Sequence, residues 1–535
     1  MNRIFGRIKL VGISKSLFFF LLFSPLLGVS QAKVLRLSIK DYQDRVQAVW
    51  VSQMLGAMMG WPFEHKVASV SWVDSFPKKY SHAPVDDDWY YEMVAIRAFE
   101  KYGINMTVKQ LGQQWLENSA GTWGSSEQAR LLMLKGVVPP STGEPRYNKL
   151  WFTIGSQFSS DVYGAIAPGM PNVAAKIARE YGHINGFAEG ADGGVFIAGM
   201  ISIAFMENNV RKIVGEASRL IDPRSPYRQC LNMVLSMFDK GKNSREIYNA
   251  IEDKWHFIYP ATNNAVANGG IVATSLLFGQ GDFLKTVNLA YSAADFTDAD
   301  CNAANAGAVI GAMKGMKCLP EKLVNSLGDK IEGDKMGKVT LTPPVNESIS
   351  SLSKRTADIG VRILSEHGTG ISNGQLTIKV QRPVQQAAEL FQLSDFTLYW
   401  NPEWKLERAG FGGAGGGMPG IRGLTYLDGD VLSTYPRDEV RGVELTRTLT
   451  ITTEKKFIFD AGVDSARTWE LMVYINNQKV IDQKLEGTQG TRQWYNEEVD
   501  LKPYKGQSIR IRLYQKVLVP GKASGNAYWR KLKFL

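Results

Sequence analysis

Apolar residues between positions 42 and 59 recur at helical spacing, with Val46, Val49, Trp50 and Leu55 on one stripe. Gly60-Trp61-Pro62 then stops the run and sets a loop. Tyr91, Val94, Ala95, Ala98, Phe99 and Tyr102 repeat the stripe at i, i+3, i+4, i+7, i+8 and i+11, with Gly103 as the stop. Residues 104–250 keep a helical rhythm, with loops expected at 155–157, 167–171 and 185–194 and a buried helix over 195–206. Residues 263–277 predict another helix opened by Asn268-Gly269-Gly270, and helices are expected to continue past Pro320 to about Glu366, including 348–364. The most uniform run is 303–315. Its many Ala and Gly residues let neighbouring helices come close, and no position suits solvent until Lys314, so it predicts a central, buried helix. Near Gly368 the period changes: 376–380, 446–453, 470–480 and 509–514 alternate or run β-branched, separated by turns such as Asn476-Asn477 and Lys505-Gly506. The pattern predicts a multidomain chain, with an all-α domain over 33–367, a linker and start of the β region over 368–429, and an all-β sandwich over 430–535.

Length and composition agree with two or three globular domains in the 535 residues. Arg3, Arg7, Lys9 and Lys15 precede an apolar stretch over 17–29 that ends in Ser30-Gln31-Ala32. That is the form of a secretory signal peptide over 1–32, so the mature protein is expected to be secreted or periplasmic, with no transmembrane segment after cleavage. Removing those four cations lowers the net charge from +10 to about +6. Lys and Arg are spread without a dense basic block, so nucleic acid is not an expected partner. Cys230, Cys301 and Cys318 cannot make a disulfide framework, although one pair is possible. The five histidines are scattered and show no HxxxH or HExxH spacing, and no CxxC occurs, which argues against zinc. The glycine-rich stretch 410–420 lacks a phosphate-loop pattern and reads as a flexible loop.

Carboxylates change the picture. Asp298-Ala299-Asp300-Cys301-Asn302 opens the buried small-residue helix. A buried charge without a partner costs several kcal/mol, whereas a helix N-terminus favours an anion by only about 0.3–1 kcal/mol. A bound cation accounts for both acids; a capping Asp300 beside a solvated Asp298 is the plainer reading. Asp86-Asp87-Asp88 stands at the start of the helix carrying Tyr91. One aspartate there is an N-cap, while three repel one another unless a cation joins them. A solvated capping run remains the alternative. Glu64 lies in the loop after Pro62, where a solvated carboxylate and a catalytic one look alike.

Four stretches resemble the ADP-ribosylglycohydrolase family: Gly56-Ala57-Met58-Met59-Gly60-Trp61-Pro62-Phe63-Glu64, Asp86-Asp87-Asp88, Asn268-Gly269-Gly270-Ile271-Val272 and Asp298-Ala299-Asp300-Cys301-Asn302. The resemblance implies an all-α fold with a site for two Mg²⁺ or Mn²⁺ ions. It puts Asp86, Asp87, Asp88, Asp298 and Asp300 on metal-ligand positions, Glu64 on the catalytic loop position, and Asn268 and Asn302 on substrate-binding positions. Cys301 stands where many members have a Thr or Ser ligand. Ala57 and Ala299 depart from the family's Asp and Thr. Residues 430–535 resemble a galactose-binding-type sandwich through 494–506 and Ala527-Tyr528-Trp529. The expected function is a secreted metal-dependent hydrolase that cleaves a glycosidic bond of an ADP-ribosyl or related substrate, a small molecule or glycan with a ribose-like diol. The alternative is a catalytically reduced metal- and sugar-binding protein, attached to glycans by its sandwich.

Overall fold

A computed structural model describes residues 34–293, 297–411 and 423–535. The expected signal peptide and most of the glycine-rich stretch 410–420 lie outside the described residues. Among the described residues, no helix is long and apolar enough to cross a membrane.

The helical domain is built on one crossing. The helix Ile39–Gly60, capped by the Ser38 hydroxyl, packs along the helix Ala299–Lys314. Small residues make the approach possible. A Cβ on Gly56 would stand 2.6 Å from the Ala303 carbonyl oxygen, and one on Gly311 would stand 2.5 Å from that of Ala48. The backbones therefore meet where side chains would collide. Helices Asp87–Tyr102, Glu189–Ala204, Ala265–Gly279 and Ile349–Glu366 surround this pair. Trp50, fully buried, donates its indole N–H to Thr356 Oγ1 at 3.1 Å and ties the last of these to the centre.

Three local expectations change. The helix expected from 195 begins at Glu189, because its glycines answer packing rather than a loop: a Cβ on Gly190 would stand 2.1 Å from the Trp151 carbonyl oxygen. A hairpin, Lys330–Met336 with Val339–Ser348, interrupts the helices expected between Pro320 and Glu366. Val339, Thr340, Thr342 and Val345 favour strand there, and Pro343 and Pro344 exclude helix. The strand Gln375–Lys379 pairs antiparallel with Val34–Ser38, so it serves the helical domain rather than the sandwich. The chain then stays on that domain. Gln381 N–H donates to Gly169 O, Glu389 lies 2.7 Å from His183, and Phe391 packs on Trp151 with ring centroids 5.1 Å apart.

Beyond it stand two five-stranded antiparallel sheets. One runs Gln493–Asp500, Lys456–Val463, Ala527–Phe534, Val431–Thr434, Tyr426–Asp428; the other runs Gln478–Glu486, Thr468–Ile475, Ser508–Lys516, Val443–Thr450, Lys405–Glu407. Trp404, Phe457, Phe459, Trp469 and Trp529 fill the space between them. This sandwich docks on the helical domain through Phe411, whose ring lies 4.6 Å from both Phe152 and Tyr259.

Candidate functional site

The loop after Gly60 and the starts of two helices converge on one cavity of about 860 Å³. Asp86 is the N-cap of Asp87–Tyr102, accepting from the Asp88 N–H at 3.3 Å, and the Trp61 indole also hydrogen-bonds it. The first turn then presents Asp87 and Asp88. Asp298 is the N-cap residue of Ala299–Lys314 but makes no side-chain cap; its Oδ2 accepts instead from Asn263 at 2.5 Å. The crossing described above brings the two ends together, since a Cβ on Gly60 would stand 2.8 Å from Asp300 Cα.

Two groups of donor atoms result, each within 4.8 Å of one another: Asp88, Asp300 and Cys301 form one, and Glu64, His65 and Asp298 the other. His65 Nε2 lies 3.6 Å from both Glu64 and Asp298. Both oxygens of Asp88 and the Oδ1 atoms of Asp298 and Asp300 are buried without a hydrogen-bond partner among the described residues. Such oxygens cost free energy unless something else meets them. Burial first, and then the Asp86, Asp87 and Asp298 carboxylates, push Asp88 well above the usual carboxylate range. Asp87 is raised by burial and by Asp86, and Asp300 by burial and by Asp298. Asp86 is pushed up to about 6 by burial, and Glu64 to about 8 by burial and by Asp298. A divalent cation resolves both the repulsion and the unpartnered oxygens, so these residues fit one. Their hard oxygen donors suit Mg²⁺ or Mn²⁺.

The other expected residues divide between the cavity wall and the interior behind it. Glu64, Asp86, Asp87, Asp298 and Asp300 line the cavity, and Asp88 sits behind them against the Cys301 thiol. Burial and then the neighbouring carboxylates push that thiol upward too, and a thiol is in any case a poor partner for a hard cation. Asn268 and Asn302 are fully buried behind the carboxylates, not on the cavity wall. Asn268 Oδ1 accepts from the Asp298 N–H at 2.9 Å and from Asn302 Nδ2 at 2.7 Å, so this pair fixes the turn that aims Asp298. Ala57 and Ala299 are buried and offer no polar atom. His65 and Asn263 belong to the site although no spacing announces them, and Lys149 lines the cavity; adjacency to Glu64 was the one clue for His65. Trp123, Ser125, Ser126 and Phe158 also line the cavity.

The sequence matches the ADP-ribosylglycohydrolase family over residues 38–350, more than half of the chain. The chain belongs to that family. Membership supports a glycohydrolase-type function in a family that is typically metal-dependent, and the acidic groups above are the candidate places for a metal. No curated protein matches the chain. Among solved structures it is similar to an "ADP-ribosylglycohydrolase-related protein complex", 13% identical, with 60% of this chain and 99% of that chain covered and a TM-score of 0.41. It is also similar to a family 35 carbohydrate binding module from Clostridium thermocellum, 9% identical, with 24% of this chain and 92% of that chain covered and a TM-score of 0.17.

Proposed function

We propose that this chain is an exported, cation-dependent hydrolase that cleaves the glycosidic bond of an ADP-ribosyl or related ribosyl substrate. One observation carries the reading: carboxylates from residues 86–88 and 298–300 meet beside one cavity with buried oxygens that nothing among the described residues satisfies. Asp86, Asp87, Asp88, Asp298 and Asp300 would hold the ions, taken as two Mg²⁺ or Mn²⁺. A divalent cation there supplies Lewis acidity and an anchor for the diol of a ribose-like sugar. Glu64 stands at the rim, with His65 beside it, and moves a proton between the attacking water and the departing oxygen. Asn263 and Asn268 hold Asp298 in place, and Trp61 holds Asp86. Export rests on the charge and apolar pattern of residues 1–32, and fractionation of the producing cells tests it.

A panel of ADP-ribosyl peptides, nucleosides and nitrophenyl glycosides, run with Mg²⁺, with Mn²⁺ and with chelator, tests the activity. Turnover is expected on at least one ribosyl substrate, abolished by chelator. Glu64→Gln should lower that turnover by about 10²–10⁴-fold while sugar binding survives; an unchanged rate removes Glu64 from the chemistry. Ala57 and Ala299, which leave two positions without a polar group, favour a second reading in which the site binds metal and sugar but turns over poorly. Micromolar sugar binding without turnover anywhere in the panel would select it.

A further inference from the structure

The cavity is lined by the helical domain, and one of its wall residues touches the sandwich. Lys149, on its wall, reaches the sandwich, with Nζ 5.8 Å from the centroid of the Tyr426 ring. Tyr426 begins a row across the sheet: it stands opposite Ser433, Ser433 opposite Tyr528, Tyr528 opposite Gly462, and Gly462 opposite Trp494. Residues paired in this way share one face of the sheet, and at about 4.8 Å per strand the row spans roughly 19 Å. Arg492 lies over it, its guanidinium carbon 3.6 Å from the Tyr528 centroid and 5.8 Å from that of Trp494.

The pairing of these charges is the informative part. Arg530 also covers Trp494 but is paired with Asp460 at 2.9 Å. Among the described residues, Lys149 and Arg492 have no carboxylate partner; their contacts are ring faces. Both oxygens of the nearby Asp464 are taken, by the Tyr528 hydroxyl at 2.6 Å and the Asn526 N–H at 3.0 Å. Asp428, the other acid near Tyr426, is exposed. A ring face steadies a cation but leaves its N–H donors free. Two half-buried cations with free donors therefore stand about Tyr426, and one of them, Lys149, is on the wall of the carboxylate-lined cavity.

We propose that Lys149 and Arg492 form an anion subsite, shared by the helical domain and the sandwich, that takes an anionic group on the part of the substrate beyond the sugar. The inference rests on the reading of the cavity as a glycoside site. Two sources carry this chemistry: the diphosphate of a nucleotide sugar, and the carboxylate of an acidic glycan.

Calorimetry on the full mature chain in Mg²⁺ separates them, using ADP-ribose against adenosine and a uronate-bearing disaccharide against its neutral counterpart. One anionic probe should bind more tightly than its neutral partner, and the advantage should shrink as salt rises from about 50 to 300 mM. Lys149→Met and Arg492→Met should each weaken that probe by about 10–100-fold and change the neutral probe less than about twofold. The probe that responds identifies the source. If no anionic probe gains over its neutral partner, or if both variants bind the anion as wild type does, the subsite is refuted. Neutral sugar binding or turnover that persists in that case leaves the glycosidase reading standing; loss of all sugar binding in the wild type overturns both. The salt series needs no variant, so poor folding of a mutant cannot shield the proposal.

Discussion

Asp88 is fully buried, and neither of its oxygens has a hydrogen-bond partner among the described residues. The Oδ1 of Asp300 is likewise buried without a hydrogen-bond partner among the described residues, and Asp87, Asp88 and Asp300 are all raised well above the carboxylate range. The consequence for stability has a definite sign. With folded pKa values above the unfolded ones, these groups hold more protons in the native state, so their own contribution to stability is fully present below about pH 4 and is lost as pH rises and they must ionise. Asp86 at about 6 and Glu64 at about 8 mark how far the window extends. A cation needs the same groups ionised. The rise in melting temperature caused by Mg²⁺ over chelator should therefore grow between pH 5 and 8; a rise that shrinks with pH would contradict the cluster as its binding place. At this scale the sequence was readable where charge sat against an apolar helix, as at Asp86–Asp88 and Asp298–Asp300. It was unreadable where a role depends on direction or on distant neighbours. Asn268 and Asn302 were expected on the substrate and instead turn inward, and His65 gains meaning only from Asp298, far along the chain.

The elements that deliver these residues are two helices in backbone contact. Gly60 shows what the contact tolerates: a Cβ there would meet Asp300 Cα and the Tyr291 ring, both at 2.8 Å. Gly60→Ala should cost about 1–3 kcal/mol in urea unfolding and weaken Mg²⁺ binding, because the residue it displaces is a proposed ligand. Wild-type stability and affinity in that variant would show that the crossing is looser than described. The small-residue helix was legible because Ala and Gly in such density have few other uses. Glycines misled at 189–194, where they mark close packing within a helix, whereas 185–188 is the loop expected there. Pairing of Val34–Ser38 with Gln375–Lys379 was invisible, because both strands are short and their partners lie more than three hundred residues apart.

For the whole molecule, the change of pattern near Gly368 marks where strands begin but not where the helical domain ends. A chain cut at 367 would lose the partner of Val34–Ser38, the Glu389 contact to His183 and the Phe391 cover over Trp151. It would also bare Phe152 and Tyr259, which Phe411 covers. Residues 33–367 alone should therefore aggregate, or melt well below the full chain, by size-exclusion chromatography and thermal unfolding. A monomer as stable as the full chain would show that the sandwich and the segment leading to it are an appendage. The central claim, that segments two hundred residues apart build one cation site, has a more direct test. Crystals of the full chain grown in Mn²⁺ should show anomalous density among Asp86, Asp87, Asp88, Asp298 and Asp300, in one or two peaks about 2.0–2.6 Å from carboxylate oxygens. No peak there at saturating Mn²⁺, with the carboxylates hydrogen-bonded to one another or to water instead, would contradict it.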